Sequence, residues 1–371
     1  MTPYTPTTHR GRDEPGLVRS PKRHKEVGPL TLRIGILGAA RITDMAVLKP
    51  AAALDVPIHS VAARDVDRAL AYAVKHRIPH VRDNYDAILE DPDVTAVYIP
   101  LPASLHARWT LAAINAGKHV LCEKPFTANT AQAEVVADAA AANSDVVVME
   151  AYHSGHHPSL SRLREILASG ILGEILTAKA TFSVAIPPRK DIRWNADLGG
   201  GSLLDVGYYP VRLLRDLFGE AEVLQARANI RKDVDSSLTA LLQFSDGVRG
   251  EIVTSMWPPR PAMPSLSIVG TAGQLRMRMP YHPQTAGRIS VLTGLRRPVD
   301  KADRIRSGVV SNSMRWTERA DRISTYLAQL RDFRDAIDGT GPNTTDAAAA
   351  VAQMRTIDDI YQAAGMTPRC P

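Results

Sequence analysis

From residue 31 onward, short apolar runs alternate with longer stretches in which apolar residues recur about every 3.6 positions. Leu32–Leu37, Ile58–Ala63, Ala96–Leu101, His119–Cys122 and Val146–Met149 are short runs bounded by polar or turn residues, which predicts buried strands. The stretches between them, at 41–53, 66–76, 104–116 and 129–142, predict helices. Strand, helix and strand repeated in this order implies parallel strands joined by right-handed crossovers, a doubly wound α/β sheet. Ligands of such sheets bind beyond the carboxyl ends of the strands.

The rhythm changes beyond about residue 152. A helix over 158–168 precedes a strand over 175–183, and a glycine-rich turn opens a helix over 203–217. Between 221 and 278 apolar and polar positions alternate with period two, as in Ser237–Phe244 and Val248–Ser255, with Ser245-Asp246-Gly247 marking a turn. That predicts a second domain on a mostly antiparallel sheet. The stretch 280–315 reads as irregular, and two helices, over 321–338 and 345–364, close the chain. The division expected is a tail at 1–30, a nucleotide-binding domain at 31–152 and a substrate and oligomerisation domain at 153–371, with the closing helices packing back on the first domain.

Composition narrows the class. A chain of 371 residues supplies core enough for two domains, and no run of about 18 uncharged apolar residues is present to span a membrane. Cys122 and Cys370 cannot build a disulfide framework, which points to a reducing compartment, the cytoplasm. The net charge of +6 is uneven. Residues 1–30 hold six basic and three acidic side chains in a proline-rich stretch with neither apolar periodicity nor the apolar core of a secretory signal, so a flexible tail is expected. Residues 276–315 hold nine basic side chains against Asp300 and Asp303, leaving the remainder net acidic. This segment is expected to form a basic rim on the route of an acidic or phosphorylated substrate, or part of a subunit interface. No aromatic residue interleaves its arginines between 284 and 315, which argues against nucleic acid.

Four motifs carry chemistry. The first strand runs into Gly38-Ala39-Ala40-Arg41-Ile42-Thr43, where only the first glycine of the dinucleotide fingerprint Gly-x-Gly-x-x-Gly is kept. The second strand ends in Ala62-Ala63-Arg64-Asp65. Arg64 suits the 2′-phosphate of NADP, while Asp65, one step on, suits the ribose of NAD, and the reading favours NADP. Lys124 of Glu123-Lys124-Pro125 follows a strand end and so faces the crevice where a cofactor would lie. After the run Gly199-Gly200-Gly201, Asp205 and Tyr209 are four apart on a helix and share one face.

Together with Pro100-Leu101-Pro102-Ala103-Ser104-Leu105-His106 and Glu150-Ala151-Tyr152-His153, these motifs resemble the Gfo/Idh/MocA family of oxidoreductases, most closely its dihydrodiol dehydrogenase and glucose-fructose oxidoreductase-like branch. The resemblance runs over about 31–278 and resumes at about 323. It implies an N-terminal Rossmann domain and a C-terminal α/β domain with a large open sheet that pairs with another subunit, giving a homodimer or homotetramer. It implies NADP or NAD as cofactor, contacted by Gly38, Ala39, Ala40, Arg41, Ile42, Ala63, Arg64, Pro100, Leu101, Pro102, His106, Glu123, Lys124 and Trp194. Lys124, Glu150, Arg193, Asp205 and Tyr209 are implied for a polyol or sugar substrate. Tyr209 takes the acid/base role, Lys124 lowers its pKa and Asp205 orients. Ala103 departs from the asparagine common in the family. The crowding of His153, His156 and His157 without cysteines does not suit zinc, so no metal is expected, and Cys122 reads as a buried strand residue. The implied activity is hydride transfer between nicotinamide and a secondary alcohol or carbonyl of a sugar, cyclitol or dihydrodiol. The alternatives are a catalytically silent cofactor-binding regulator, or a lyase or glycosidase that uses bound NAD transiently.

Overall fold

A computed structural model describes residue 1 and residues 32–188, 191–258, 262–294 and 313–369. The tail at 2–30 and most of the basic segment, with Arg296, Arg297, Lys301, Arg304 and Arg306, lie outside the described residues.

The apolar runs of the first third form β1 (Ile34–Leu37), β2 (Ile58–Ala62), β3 (His80–Val81), β4 (Ala96–Ile99), β5 (His119–Glu123) and β6 (Val148–Ala151). They pair in parallel in the order β3-β2-β1-β4-β5-β6. The order reverses direction at β1, so the crevice opens at the carboxyl ends of β1 and β4. Helices α1 (Lys49–Ala53), α2 (Val66–His76), α3 (Asp86–Leu89), α4 (Ala103–Asn115) and α5 (Thr130–Ala142) connect the strands. Strand β6 is shifted two residues later than the sequence predicts, and it runs on past Met149 because Glu150 continues it as a fully buried carboxylate rather than ending it.

Beyond α6 (Pro158–Ala168), an eight-stranded sheet is built from β7 (Ile175–Ser183), β8 (Ala221–Arg231), β9 (Val234–Phe244), β10 (Arg249–Ser255), β11 (Ser265–Gly270), β12 (Gly273–Arg278), β13 (Arg288–Thr293) and β14 (Arg315–Arg319). Its order is β14-β13-β12-β11-β7-β10-β9-β8, antiparallel except between β7 and β10. Here the expectation of an irregular 280–315 is overturned. A short helix α8 (Pro283–Ala286) and strand β13 lie within it, and β14 starts at its end. The arginines masked a period-two pattern in which Ile289 and Val291 point into the core while Arg288 and Ser290 point out. Arg276, Arg278 and Arg315 are exposed on the same face of the sheet.

Helix α7 (Tyr208–Phe218) covers this sheet, and the closing helices α9 (Thr325–Ile337) and α10 (Ala347–Ala363) return to the first sheet. Leu330 and Phe333 of α9 pack with Ile34, Ile36, Tyr98 and Leu121. Met354, Ile357 and Tyr361 of α10 join one apolar core that runs from Leu37, Ile99 and Cys122 to Leu238, Leu242 and Ile268 of the second sheet.

Two helices begin with π-type turns, Asp44–Leu48 before α1 and Leu203–Gly207 before α7. A proline follows each, Pro50 and Pro210. A proline ring clashes with the carbonyl four residues back in a regular helix, and a widened turn draws that carbonyl away. Both widened turns lie at the crevice end of the fold, one after the fingerprint and one after the glycine run.

Candidate active site

The cofactor end is shaped by backbone. Gly38 has φ of +123°, and a Cβ there would lie 3.0 Å from the Leu101 side chain, so the turn admits backbone approach and no side chain. Among the described residues nothing in the protein accepts the N–H groups of Ala39, Arg41 and Ile42, which leaves three donors for an anion. These features fit a dinucleotide pyrophosphate even with Ala40 and Thr43 in the places of glycines. At the end of β2, the Asp65 carboxylate accepts from Arg68 N at 3.3 Å and caps its own helix. Arg64 is exposed and its side chain makes no ion pair among the described residues, while its backbone bonds the Tyr85 hydroxyl. Arg68, which the sequence did not single out, donates to Ala39 O at 2.6 Å and brings a second guanidinium to this end.

At the reaction end, the glycine run permits close packing. Cβ atoms on Gly199 and Gly200 would meet Ala103 Cβ at 2.8 Å and Asn195 O at 2.5 Å. The tight turn delivers Asp205 and Tyr209 to Lys124 at the end of β5. Lys124 Nζ donates to the Asp205 backbone oxygen at 2.9 Å and to Asp205 Oδ1 at 3.1 Å, and it stands 4.8 Å from the centre of the Tyr209 ring. Arg193 Nε donates to Asp205 Oδ2 at 2.7 Å. Against the upward push of burial, Lys124 and Arg193 hold the Asp205 carboxyl below its ordinary pKa, so it is ionised.

The Tyr209 hydroxyl meets His153 Nε2 at 3.0 Å, not Lys124. The resemblance implies that Lys124 lowers the Tyr209 pKa, and here the net shift runs the other way. Burial raises it well above 10, and nearby Tyr326, Glu123 and Asp205 push the same way. A phenol so placed is protonated at neutral pH. Its ring packs beside Phe182, Tyr281 and Tyr152, and His282 lies against His153.

Three further side chains turn inward. Glu150 is fully buried, accepting from Phe126 N at 3.0 Å, from the Tyr208 hydroxyl and from Arg212 Nη1 at 3.3 Å. Trp194 is buried with Val206, Val234 and Met256, its indole N–H given to Ile186 O. His106 has both ring nitrogens at 2.7 Å from carbonyls, Pro125 O and Leu101 O, and ties the ends of β4 and β5 together instead of reaching outward. Glu123 accepts from the Tyr98 hydroxyl at 2.7 Å. The three crowded histidines part company: His153 to Tyr209, His156 to Asp332 and His157 to Ser159 N.

Burial holds His153, His106 and His119 below the ordinary histidine pKa of 6.5 and brings His282 down to about 4. The unfolded chain takes up protons on these rings first, so their contribution to stability is full above about pH 6.5 and is lost as pH falls toward about 4. Urea unfolding should show a lower free energy at pH 5 than at pH 7, and His282→Asn should flatten that fall. Equal stability at both pH values would refute the account.

The comparisons with known proteins agree with this geometry. Residues 32–152 match the oxidoreductase family with an NAD-binding Rossmann fold, and residues 160–276 match the GFO/IDH/MocA C-terminal domain. The chain is 32% identical over 338 residues to D-xylose 1-dehydrogenase (NADP(+)) 2 of Haloferax volcanii, covering 90% of this chain and 97% of that one. It is 36% identical over 342 residues to dTDP-3,4-didehydro-2,6-dideoxy-alpha-D-glucose 3-reductase of Streptomyces violaceoruber, covering 90% and 95%. The crystal structure of KijD10, a 3-ketoreductase from Actinomadura kijaniata in complex with NADP and TDP-benzene, superposes with a TM-score of 0.78 at 28% identity, covering 90% of this chain and 98% of that one. Among the described residues no helix is long and apolar enough to cross a membrane. With a parallel nucleotide-binding sheet, an open second sheet and a lysine, aspartate and tyrosine gathered where they meet, the chain belongs to the Gfo/Idh/MocA family and is an NAD(P)-dependent oxidoreductase acting on CH–OH groups or the matching carbonyls.

Proposed function

We propose that the protein is an NADP-dependent reductase of a sugar-type ketone or aldehyde, able to run the reverse oxidation. The observation that carries this is the pairing of a protonated, buried Tyr209 with Lys124, whose ammonium has spent two of its three N–H donors on Asp205. The third donor and the Tyr209 hydroxyl are the two groups positioned to hold and protonate a substrate oxygen. A bound nicotinamide supplies the hydride; the protein orients the substrate carbon and handles the proton. Arg193, half-exposed beside Asp205, extends the polar wall for substrate hydroxyls.

Arg64 and Arg68 support NADP over NAD, since Asp65 is occupied as a helix cap. Arg64→Ala should raise the KM for NADPH roughly tenfold to a hundredfold while leaving that for NADH nearly unchanged, as expected for a lost charge-assisted contact to the 2′-phosphate. Equal effects on both would count against the assignment. The substrate class is tested by following nicotinamide absorbance with NADP(H) and NAD(H) against sugars, their keto forms, cyclitols and dihydrodiols. Tight NADPH binding with no turnover on any of them would favour a silent regulator instead, and copurified, non-exchanging NAD would favour a lyase. The outward face of the second sheet exposes Leu224, Ile230, Leu241 and Trp257, which supports subunit pairing through that face.

A further inference from the structure

Lys124 sits over the face of the Tyr209 ring, so the hydroxyl itself takes its partner from elsewhere. That partner is His153, whose Nε2 lies 3.0 Å from Tyr209 Oη and whose Nδ1 lies 2.9 Å from Thr325 Oγ1. His153 and Thr325 are both buried, at 1% and 0% exposure. Gln284 Nε2 donates to Thr325 Oγ1 at 3.3 Å. With that donation received, the Thr325 hydroxyl proton has His153 Nδ1 as its acceptor. Were Nδ1 the protonated nitrogen, two donors would meet one hydroxyl whose own proton would be buried without a partner, at the desolvation cost of an unmet polar group. With the Gln284 amide nitrogen toward Thr325, the arrangement that pairs the Thr325 hydroxyl puts the ring proton on Nε2, where it is donated to Tyr209 Oη, and leaves Gln284 Oε1 as the buried atom without a partner among the described residues.

We propose that His153 is a positioning residue for the proton transfer: its Nε2–H, fixed by Thr325 and Gln284, occupies one lone pair of Tyr209 Oη, so that the Tyr209 proton is turned toward the substrate oxygen. This rests on the reading of Tyr209 as the proton donor. When the proton leaves Oη for the substrate oxygen, the electron pair of the broken O–H bond stays on Oη, and Nε2–H holds that oxyanion. The groups facing the pair are Lys124, Asp205, Glu123, Tyr152, Tyr281 and Tyr326 around Tyr209, and His282, His156, His157, Tyr326 and Lys124 around His153. None of these is placed on Oη itself by a hydrogen bond, so His153 is the contact to remove.

His153→Leu, His153→Gln and Tyr209→Phe are to be compared with the unaltered enzyme in the reduction direction, with kcat, KM and the pH profile of kcat measured for each. Tyr209→Phe should lose turnover. His153→Leu should lower kcat about tenfold with KM within about twofold, and should move the pH profile governed by Tyr209 upward by roughly one pH unit, as for a lost hydrogen bond to a charged group. His153→Gln, which restores an N–H donor, should recover most of the loss. Unchanged kcat and profile in His153→Leu alongside an inactive Tyr209→Phe would overturn the role of His153. Full activity in Tyr209→Phe would overturn the reading beneath it. Nitrogen-15 NMR of the unaltered protein tests the same point without a variant: a proton on Nε2 of His153 supports the proposal, and one on Nδ1 overturns it.

Discussion

Lys124→Met is expected to cut turnover by about a thousandfold while leaving NADPH binding within a factor of about three. Methionine keeps the unbranched stem, which is nine-tenths buried, and removes only the ammonium. Three things go with it: the donors to Asp205, the charge over the Tyr209 ring, and the remaining N–H available to a substrate oxygen. A developing negative charge on that oxygen then faces Asp205 with only Arg193 to offset it, and Arg193 is more than a third exposed, so solvent screens it. Fluorescence titration of NADPH gives the binding readout and the absorbance assay gives turnover. Turnover close to that of the unaltered enzyme would remove Lys124 from the chemistry. Lost NADPH binding would recast it as a cofactor ligand.

How much of this was legible beforehand differs between backbone and side chains. The alternation of apolar runs and helical stretches was enough for the first sheet, because parallel strands buried on both faces read as continuous apolar runs, as in Ile34–Leu37 and Ala96–Ile99. It failed at β13, where outward arginines overwrote the alternation, and at β6, where a carboxylate lies inside the sheet. The spacing of Asp205 and Tyr209 on one face was likewise legible, since a widened π turn still leaves residues four apart on one side. The direction in which a side chain spends its hydrogen bonds was not. Asp65 caps its own helix, a local outcome that an Asp just before a helix signals, whereas His106 and Glu150 turn inward, tertiary outcomes that local sequence does not encode. His153 was visible as the end of the Glu150–His153 motif and as one of three crowded histidines; its place just past the end of β6, against Tyr209, was the signal that only the fold supplies.

Glu150→Ala is expected to cost about 3–5 kcal/mol of stability, because one partner of a buried ion pair is removed and the other stays behind. Arg212 is 3% exposed and would retain only Asp216, at 3.0 Å, while Phe126 N and the Tyr208 hydroxyl would lose a buried acceptor. Both losses fall close to the site. Phe126 follows Lys124-Pro125 directly, and Tyr208 precedes Tyr209, so Glu150 fastens the Lys124 turn to the helix carrying Tyr209. Glu150→Gln keeps an acceptor for Phe126 N and for Tyr208 while removing the charge facing Arg212. It should therefore fall between the unaltered protein and Glu150→Ala in urea unfolding, and its folded fraction should bind substrate with nearly unchanged KM. The family resemblance alone, with Glu150 at the substrate, requires the opposite pattern: stability preserved in Glu150→Gln and KM raised by about tenfold or more, as when a hydrogen bond between a charged group and substrate is lost. Unfolding midpoints and KM measured on the same preparations decide between a carboxylate that touches the substrate and one that holds the Lys124 turn to the helix carrying Tyr209.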